Sequence, residues 1–309
     1  MNQVCGRLDR MRCAIVFLLI CLCGGMAAAE QPKAVFGSHG YIEYLPGSLP
    51  IVIGAPHGGS LKPKGIADRK EGRVVQDAFT QELARLIRDD MFKRFGAAPH
   101  LIVCRLHRSK VDCNREIGEA AQGDDAASLA HKEFHGFITE ACGAVEKKWG
   151  AGLYIDLHGH RHEQELVEIG GLVTGAKLAL TDAELDAGDF IARQSSIREL
   201  DKRSPQSFAA LLRGPQSLGG LLEARGFASI PSPTHPSPGT SPYYNGAYSV
   251  ETHGSRGGGA ISALQIECPF KSVRERDETR LRFSAALCDA LEEFFRVHFG
   301  KELKSAAAH

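Results

Sequence analysis

The sequence has no excess of charge of either sign. Lysine and arginine total 37, and aspartate and glutamate also total 37, so no net field draws the chain to nucleic acid or to an acidic membrane surface. A basic run with interleaved aromatic residues is missing as well. We therefore expect no nucleic-acid partner. The hydrophobic fraction of 43% predicts a globular chain with a large core.

Cysteines at metal-binding or disulfide spacing are also missing. Nine cysteines occur, and four of them precede residue 30. The five that remain are Cys104, Cys113, Cys142, Cys268 and Cys288. An odd number without a CxxC motif argues against a disulfide framework and against a cysteine zinc site. A single disulfide stays open, since the sequence does not select a pair.

A hydrophobic run long enough to span a membrane comfortably is absent too. The apolar run CAIVFLLICLCGGM has about 14 residues, whereas a spanning helix needs about 20. It follows three arginines and ends in AAAE, which is typical of a secretory signal peptide at 1–29. We therefore expect an exported chain, periplasmic or secreted, with no membrane span in the mature form. An uncleaved anchor and a lipid-modified Cys23 remain alternatives.

Beyond residue 30, apolar strand-like runs alternate with amphipathic helical patterns. The strand-like runs begin at Ile51, His100, Leu153, Leu166 and Ala260. The helical patterns cover 74–96, 128–150 and 272–299. This alternation predicts an α/β fold, a single domain over 30–300 with a mostly parallel mixed sheet flanked by helices. The loop-rich stretch 228–260 predicts a binding loop or lid, and 301–309 a disordered tail.

Polar residues cluster where the predicted strands end. His57 follows the first strand, and the third contains LYIDLHGHRHE. Carboxyl ends of parallel strands meet at one edge of the sheet, and histidine is a common zinc ligand. Asp156 lies two residues before His158, so both face the same way and the carboxylate can orient the ring. We predict one zinc ion on His57 and His158, with His160 and His162 at the pocket rim or in solvent.

The third zinc ligand must come from the acidic residues after the first histidine. Asp68, Glu71 and Asp77 all follow within one loop and helix start. Asp77 begins the helical pattern, where a carboxylate is also stabilised by the helix dipole alone. Asp77 is the preferred ligand, and Glu71 and Asp68 remain alternatives.

The motif RLHRSKVDCNRE places a dense polar group after the second strand. A guanidinium fork beside an amide donor suits bidentate capture of a carboxylate. Arg108, Asn114 and Arg115 are therefore candidate substrate-binding residues. An ordinary surface pair of Asp112 with an arginine is the structural alternative.

Glu267 lies inside the otherwise apolar strand ALQIECP. A carboxylate is costly to bury unpaired, so it should face a pocket, a metal or a cation. Beside a zinc site it can take the proton of the attacking water and pass it to the leaving amine. Glu267 is thus the candidate general base. His253, in ETHGSRGGG, is a candidate donor to the developing oxyanion, with a merely structural loop histidine as the alternative.

The segments PHGG, RSKVDCNR, IDLHGH and LQIECP, in this order, resemble the N-formylglutamate amidohydrolase family, which is related in fold and site to the zinc carboxypeptidases. The resemblance runs from about residue 48 to 295. It implies a zinc-carboxypeptidase-like fold of the phosphorylase/hydrolase kind. The implied roles are zinc ligands His57 and His158, carboxylate binders Asn114 and Arg115, and general base Glu267. Position 60 is serine where the carboxypeptidases have the glutamate of His-x-x-Glu, so a carboxylate further along must replace that ligand. The resemblance implies Asp77, which matches the acidic residue at the start of the following helix in the amidohydrolase family.

The implied activity is zinc-dependent hydrolysis of an amide bond in a carboxylate-bearing N-acyl amino acid or short peptide. A secreted zinc carboxypeptidase or amidase of cell-wall peptides is the first alternative. A non-catalytic exported binding protein is the second.

Overall fold

Eight strands form one sheet in the computed structural model, which describes residues 32–304. They are β1 (Val35–Phe36), β2 (Ile42–Leu45), β3 (Ile51–Ala55), β4 (His100–Cys104), β5 (Gly152–His160), β6 (Val167–Gly170), β7 (Ser229–Ile230) and β8 (Ile261–Pro269). The predicted signal peptide at 1–29 lies outside the described residues, as do positions 305–309 of the predicted tail.

The four central strands of the sheet are parallel. The strand order is β1-β2-β4-β3-β5-β8-β6-β7, and the strands from β4 to β8 in this order pair in parallel. Strands β2 and β6 extend this centre through antiparallel pairs. The predicted mostly parallel mixed sheet is therefore confirmed. Its central strands present their carboxyl ends along one edge.

Eleven α-helices connect and cover the strands within residues 32–304. They are α1 (Thr80–Phe95), α2 (Ile117–Ala121), α3 (Asp125–Trp149), α4 (Gly175–Leu178), α5 (Asp182–Leu185), α6 (Phe190–Gln194), α7 (Arg198–Arg203), α8 (Phe208–Arg213), α9 (Leu218–Glu223), α10 (Tyr248–His253) and α11 (Asp277–Phe294). The three predicted helical patterns correspond to α1, α3 and α11. Short helices α4–α9 and the two antiparallel strands β1 and β2 were not predicted.

The helices cover both faces of the sheet. Ile51 and Ile53 of β3 belong to the core that α1 and α11 cover, whereas Val52 belongs to the core under α3. Successive strand residues point to opposite faces. Because both faces are covered, the central strands are apolar throughout rather than alternating.

Helix α1 begins later than its pattern predicts. The apolar periodicity starts at Val75, but this side chain is 67% exposed and the helix starts at Thr80. Residues 75–77 are irregular and residues 78–79 form a turn, while the Asp77 amide donates to the His57 carbonyl at 3.0 Å. Phe79 closes the turn with a positive φ of 67°. The backbone contact to His57 holds Asp77, ahead of α1, at the carboxyl edge of the sheet.

Two sequence expectations are answered by the described residues. The cysteines at 104, 113, 142, 268 and 288 are all free, so the disulfide left open by the sequence is not formed. Between residues 32 and 304, no helix has the length and apolar character needed to cross a membrane.

Candidate metal and active site

Three buried side chains from distant parts of the chain meet at the carboxyl edge of the sheet. His57 follows β3, Asp77 precedes α1, and His158 lies near the end of β5. Asp77 Oδ2 is 3.4 Å from His57 Nδ1 and 3.2 Å from His158 Nδ1. One possible ligand atom from each residue lies within 4.8 Å of the others. We call these three residues the Asp77 cluster.

The outward nitrogen of each ring is held by a carboxylate. His57 Nε2 donates to Asp112 Oδ1 at 2.6 Å, and His158 Nε2 donates to Asp156 Oδ2 at 2.8 Å. A carboxylate only accepts, so each Nε2 carries a proton and each Nδ1 faces Asp77. Burial lowers the pKa of His158, but Asp156 and Asp77 raise it well above its usual value, so its Nδ1 would become a ligand on giving up a proton. Asp156 makes the contact that its predicted role requires. Asp112 makes the same contact to His57, which the sequence reasoning missed because 55 residues separate the two.

The donor set fits a metal ion. His57 Nδ1 is buried and has no hydrogen-bond partner among the described residues, although buried polar atoms are normally paired. Two imidazole nitrogens and one carboxylate oxygen converge, with a carboxylate behind each imidazole, as is usual around bound metals. Together these features leave room for a cation as the missing partner.

Asp77 is the acidic residue that the fold brings to the histidines. The Asp68 side chain is 68% exposed and pairs with Lys110 at 3.0 Å. Glu71 is also exposed. Of the three carboxylates that the sequence offered, the geometry therefore favours Asp77 as a ligand.

Electrostatics divide the carboxylates of the site into two kinds. Burial alone would raise the pKa of Asp77 and of Asp112, but the neighbouring histidines hold each pKa well below its usual value. Burial raises the pKa of Glu267 to about 8, and the charges of Asp77, Glu168 and Asp156 add to this while His158 opposes it. Two carboxylates are thus kept ionised, whereas Glu267 readily carries a proton.

Glu267 stands beside His158 across the β5–β8 pair. The two residues are register partners in the parallel ladder. Glu267 Oε1 accepts from Gln265 Nε2 at 3.1 Å, whereas the buried Oε2 has no hydrogen-bond partner among residues 32–304. Glu267 lines the cavity next to the Asp77 cluster and thus brings an unpaired carboxylate oxygen to it.

Arg108 is bound mainly by carboxylates. Its Nε and Nη2 both lie 2.9 Å from Asp112 Oδ2, and Nη1 lies 3.6 Å from Asp77 Oδ1. The surface Asp–Arg pair considered from the sequence is thus a buried one. Arg108 lines the cavity, but its guanidinium is largely used in orienting Asp112 behind His57.

Asn114 and Arg115 also line the cavity. Asn114 is buried, and its Oδ1 accepts from the Ser249 amide at 2.8 Å, which leaves its Nδ2 directed towards His158 and Gln265. The Arg115 side chain is 40% exposed, and its Nε lies 3.7 Å from Glu119. Arg115 Nη1 donates to the Asn114 carbonyl at 2.7 Å, which leaves Nη2 of this partly exposed guanidinium for an anionic ligand.

The cavity has a volume of about 160 Å³. Part of its wall is the segment 244–247, which belongs to the loop-rich stretch predicted to bind or cover a ligand. The sequence reasoning missed Gln265, which Glu267 follows by two residues on the same strand face, so the pair was a usable signal. It also missed Arg73 and Tyr244, which meet at 2.7 Å between Nη1 and the phenol oxygen; no sequence signal marked them.

His253 is not among the residues that line the cavity. It ends α10 and lies against α3, where its Nε2 is 2.8 Å from His135 Nδ1 and the two rings stack. The structure therefore does not bring it to a position from which it could contact an oxyanion. The same helix places the Ser249 amide against Asn114 instead.

His160 is buried, contrary to its expected place at the rim or in solvent. It lies with His162 and Glu168 in a second group of possible ligand atoms within 4.8 Å. We call these residues the Glu168 cluster. His162 is half-buried and stacks on Tyr244, with ring centroids 4.8 Å apart.

Comparison with known proteins yields matches in structure. No protein-family model matches the chain, and no curated protein sequence matches it. The fold is similar to that of N-formylglutamate amidohydrolase from Ralstonia eutropha JMP134, with a TM-score of 0.52 and 14% identity over 84% of this chain and 99% of that one. A gene product of Agrobacterium tumefaciens gives a TM-score of 0.48 and 12% identity over 82% and 94%. The fold that the sequence resemblance implied is therefore confirmed.

Proposed function

We propose that this chain is a zinc-dependent amidohydrolase that cleaves an amide bond in a small carboxylate-bearing substrate, such as an N-formylglutamate-like N-acyl amino acid. The observation that carries the proposal is a pair of unpartnered buried atoms, His57 Nδ1 and Glu267 Oε2. Both residues line one cavity together with Arg115. Atoms of this kind are costly to bury without a partner, so we infer that a cation and a transferred proton are the partners.

His57, Asp77 and His158 would hold the zinc ion through two imidazole nitrogens and one carboxylate oxygen. Three protein ligands are typical of catalytic zinc sites, which keep a further position open. When bound, zinc supplies a Lewis acid that polarises the amide carbonyl and lowers the pKa of water. Asp112 and Asp156 keep both rings in the tautomer that can bind it.

The remaining residues bind the substrate and move its protons. Glu267 Oε2 accepts a proton as water adds to the amide carbon and returns it to the nitrogen as the C–N bond breaks, which yields a carboxylic acid and an amine. Asn114 Nδ2 and the Arg115 guanidinium bind the substrate carboxylate. The buried Arg108 adds positive charge beside the oxygen on which negative charge develops.

The cavity volume supports a small substrate. About 160 Å³ is well below the roughly 300–1,000 Å³ of pockets that enclose drug-sized ligands. A single N-acyl amino acid suits this space better than a cell-wall peptide does.

A secreted carboxypeptidase or amidase of cell-wall peptides is the second candidate. It is favoured by the signal-peptide pattern at 1–29, because export would bring the chain to the compartment that contains such peptides. We likewise propose export to the periplasm or medium. A binding protein without activity is disfavoured by Glu267, which such a protein would not need.

Metal analysis followed by a substrate screen tests these candidates. We expect about one zinc per chain and turnover of N-formylglutamate or a related N-acyl amino acid. Turnover of muropeptides alone would favour the second candidate. Zinc without turnover of either class would favour the binding protein, and a metal-free protein with full activity would overturn the zinc proposal.

Arg115→Ala tests whether Arg115 binds a carboxylate of the substrate. Loss of a charge-assisted contact costs roughly 1.5–3 kcal/mol, or about one to two decades in binding. The KM should therefore rise by this factor for carboxylate substrates and much less for their carboxamides. Arg161→Ala, at an arginine outside the cavity, is the control. Equal effects of Arg115→Ala on the KM of both substrates would contradict a carboxylate-binding role for Arg115.

A further inference from the structure

Two histidines on α3 hold the backbone on either side of Asn114. His135 Nε2 donates to the Cys113 carbonyl and His131 Nε2 donates to the Arg115 carbonyl, each at 2.9 Å. The two histidines are four positions apart in the helix, so both project from one face of it. A carbonyl only accepts, so each ring carries its proton on Nε2.

The held segment has no regular secondary structure of its own. Residues 111–116 lie between β4 and α2, outside any helix or strand. Within the loop, the Asn114 amide donates to Asp112 Oδ1 at 3.0 Å, and from α10 the Ser249 amide donates to Asn114 Oδ1 at 2.8 Å. The two histidines supply the contacts from α3. Loops positioned by rigid elements are a common way to present binding groups.

His253 in turn fixes His135. His135 Nε2 carries the proton of the neutral ring, so Nδ1 of His135 has a free lone pair. This Nδ1 accepts a hydrogen bond from His253 Nε2 at 2.8 Å. Burial lowers the pKa of His135 to about 3, with His131 and His253 adding to the shift, and burial lowers the pKa of His253 to about 4. The rings are therefore neutral near pH 7. A neutral relay of this kind sets a tautomer without adding charge near the cavity.

We propose that His131 and His135 are positioning residues for the substrate-carboxylate site, with His253 acting on that site through His135. This inference rests on the proposed binding role of Asn114 and Arg115. A substrate carboxylate is bound well only if the amide donor and the guanidinium stand at a set separation. The histidines set it by tethering the carbonyl of Cys113, before Asn114, and the carbonyl of Arg115.

Amide hydrogen exchange tests the tether without any need for activity. In His131→Leu and in His135→Leu, one carbonyl of the loop loses its donor. Loss of one such hydrogen bond, roughly 0.5–1.5 kcal/mol, should speed exchange in a peptide covering 111–117 by about two- to tenfold, with β5 unchanged. The Gln variants should restore protection, because Gln Nε2 can reach the position of His Nε2. If a Leu variant does not fold, the Phe variant keeps a flat ring without the donor.

His298→Leu is the matched control. His298 is also buried and donates Nε2–H to a carbonyl, that of Gln216, at 2.8 Å. It does not line the cavity, so its loss should leave exchange at 111–117 unchanged. Unchanged exchange in both the His131 and His135 variants, with Leu or Phe, would overturn the proposal whether or not the protein has activity.

Kinetics separate positioning from a purely structural role. The Leu variants should raise the KM for carboxylate substrates by about two- to tenfold and leave the KM for the matching carboxamides and the kcat for both nearly unchanged, with Gln restoring the ratio. A general loss of structure would lower kcat for both substrates alike. If the wild type does not prefer carboxylate substrates to carboxamides, the proposed binding of a substrate carboxylate fails. Hydrogen exchange at 111–117 alone then tests whether the histidines hold the loop. If the wild type prefers the carboxylate and the Leu variants keep this preference, the positioning role of the histidines fails while the proposed function stands.

Discussion

The Asp77 cluster and the Glu168 cluster contain the same residue types and are equally compact. Each has two histidines and one carboxylate within 4.8 Å, and β5 contributes His158 to one and His160 to the other. They differ in where the ring nitrogens are used. In the Asp77 cluster, both Nε2 atoms donate outward to Asp112 and Asp156, so both Nδ1 atoms face inward, towards Asp77.

In the Glu168 cluster the nitrogens of His160 are already used. Its Nε2 donates to the Leu166 carbonyl at 2.8 Å, and its Nδ1 accepts from the His162 amide at 3.0 Å. His162 Nδ1 lies 2.6 Å from Glu168 Oε1, and the other oxygen of Glu168 accepts from the Tyr244 amide at 2.7 Å. This cluster therefore holds the cavity wall at Tyr244. A metal site depends on free lone pairs, and residue type alone does not reveal them.

Removal of one histidine from each cluster should give the largest difference between the two clusters. We expect His158→Ala to lose its zinc and its activity, because two ligands do not hold the ion. His162→Ala should keep the wild-type metal content. Metal analysis of both purified variants measures this. Full occupancy in His158→Ala, or loss of zinc from His162→Ala, would reverse the assignment.

The paired glutamates Glu267 and Glu168 provide the next largest contrast. They are register partners in the β6–β8 ladder, but only Glu267 has an unpartnered oxygen. Glu267→Gln should keep zinc and lower kcat by a factor of about 10² to 10⁴, and the acid limb of its pH profile should vanish. Glu168→Gln still accepts from Tyr244 and should lose much less. A Glu267→Gln variant with near-normal turnover would move the proton transfer to another group.

Asp112→Asn tests the carboxylate behind His57. An amide oxygen orients the ring less firmly than a carboxylate, so zinc affinity should fall by about 10- to 100-fold in a competition titration with a chelator. Asp68→Asn is the control, since Asp68 is exposed and pairs with Lys110. If Asp68→Asn weakened zinc binding and Asp112→Asn did not, the choice of acidic residues would be wrong.

The smallest expected effect is on the KM, through the part of the cavity wall at Tyr244 that the Glu168 cluster holds. His162→Ala removes the stack on Tyr244 and one hydrogen bond to Glu168. Contacts of this size are worth roughly 0.5–1.5 kcal/mol, so we expect the KM to rise about two- to tenfold. Gln164→Ala, at an exposed neighbour bonded to Ser241, is the control. A normal KM in His162→Ala would mean that the wall stands without this cluster.

Local patterns in the sequence singled out polar residues at strand ends that the structure brings to one cavity. Runs such as IVIGA and ISALQIECP are apolar because both faces of the sheet are covered, so any polar residue at their ends is conspicuous. His57, His158 and Glu267 were found in this way. His253 and His160 were misplaced, because a loop or strand-end histidine carries no sign of which neighbour its ring will meet.

The sequence by itself determined the α/β architecture, the strand ends whose polar residues line the cavity and the long loop that supplies part of the cavity wall. These follow from periodicity and composition, which are local properties. Only the tertiary structure decided that Asp77 rather than Asp68 meets the histidines, that Asp112 stands behind His57, and which of two similar clusters turns two Nδ1 atoms towards one carboxylate. Those choices depend on strand register, on the turn before α1 and on contacts between residues far apart in the chain, so they exist only once the fold has formed.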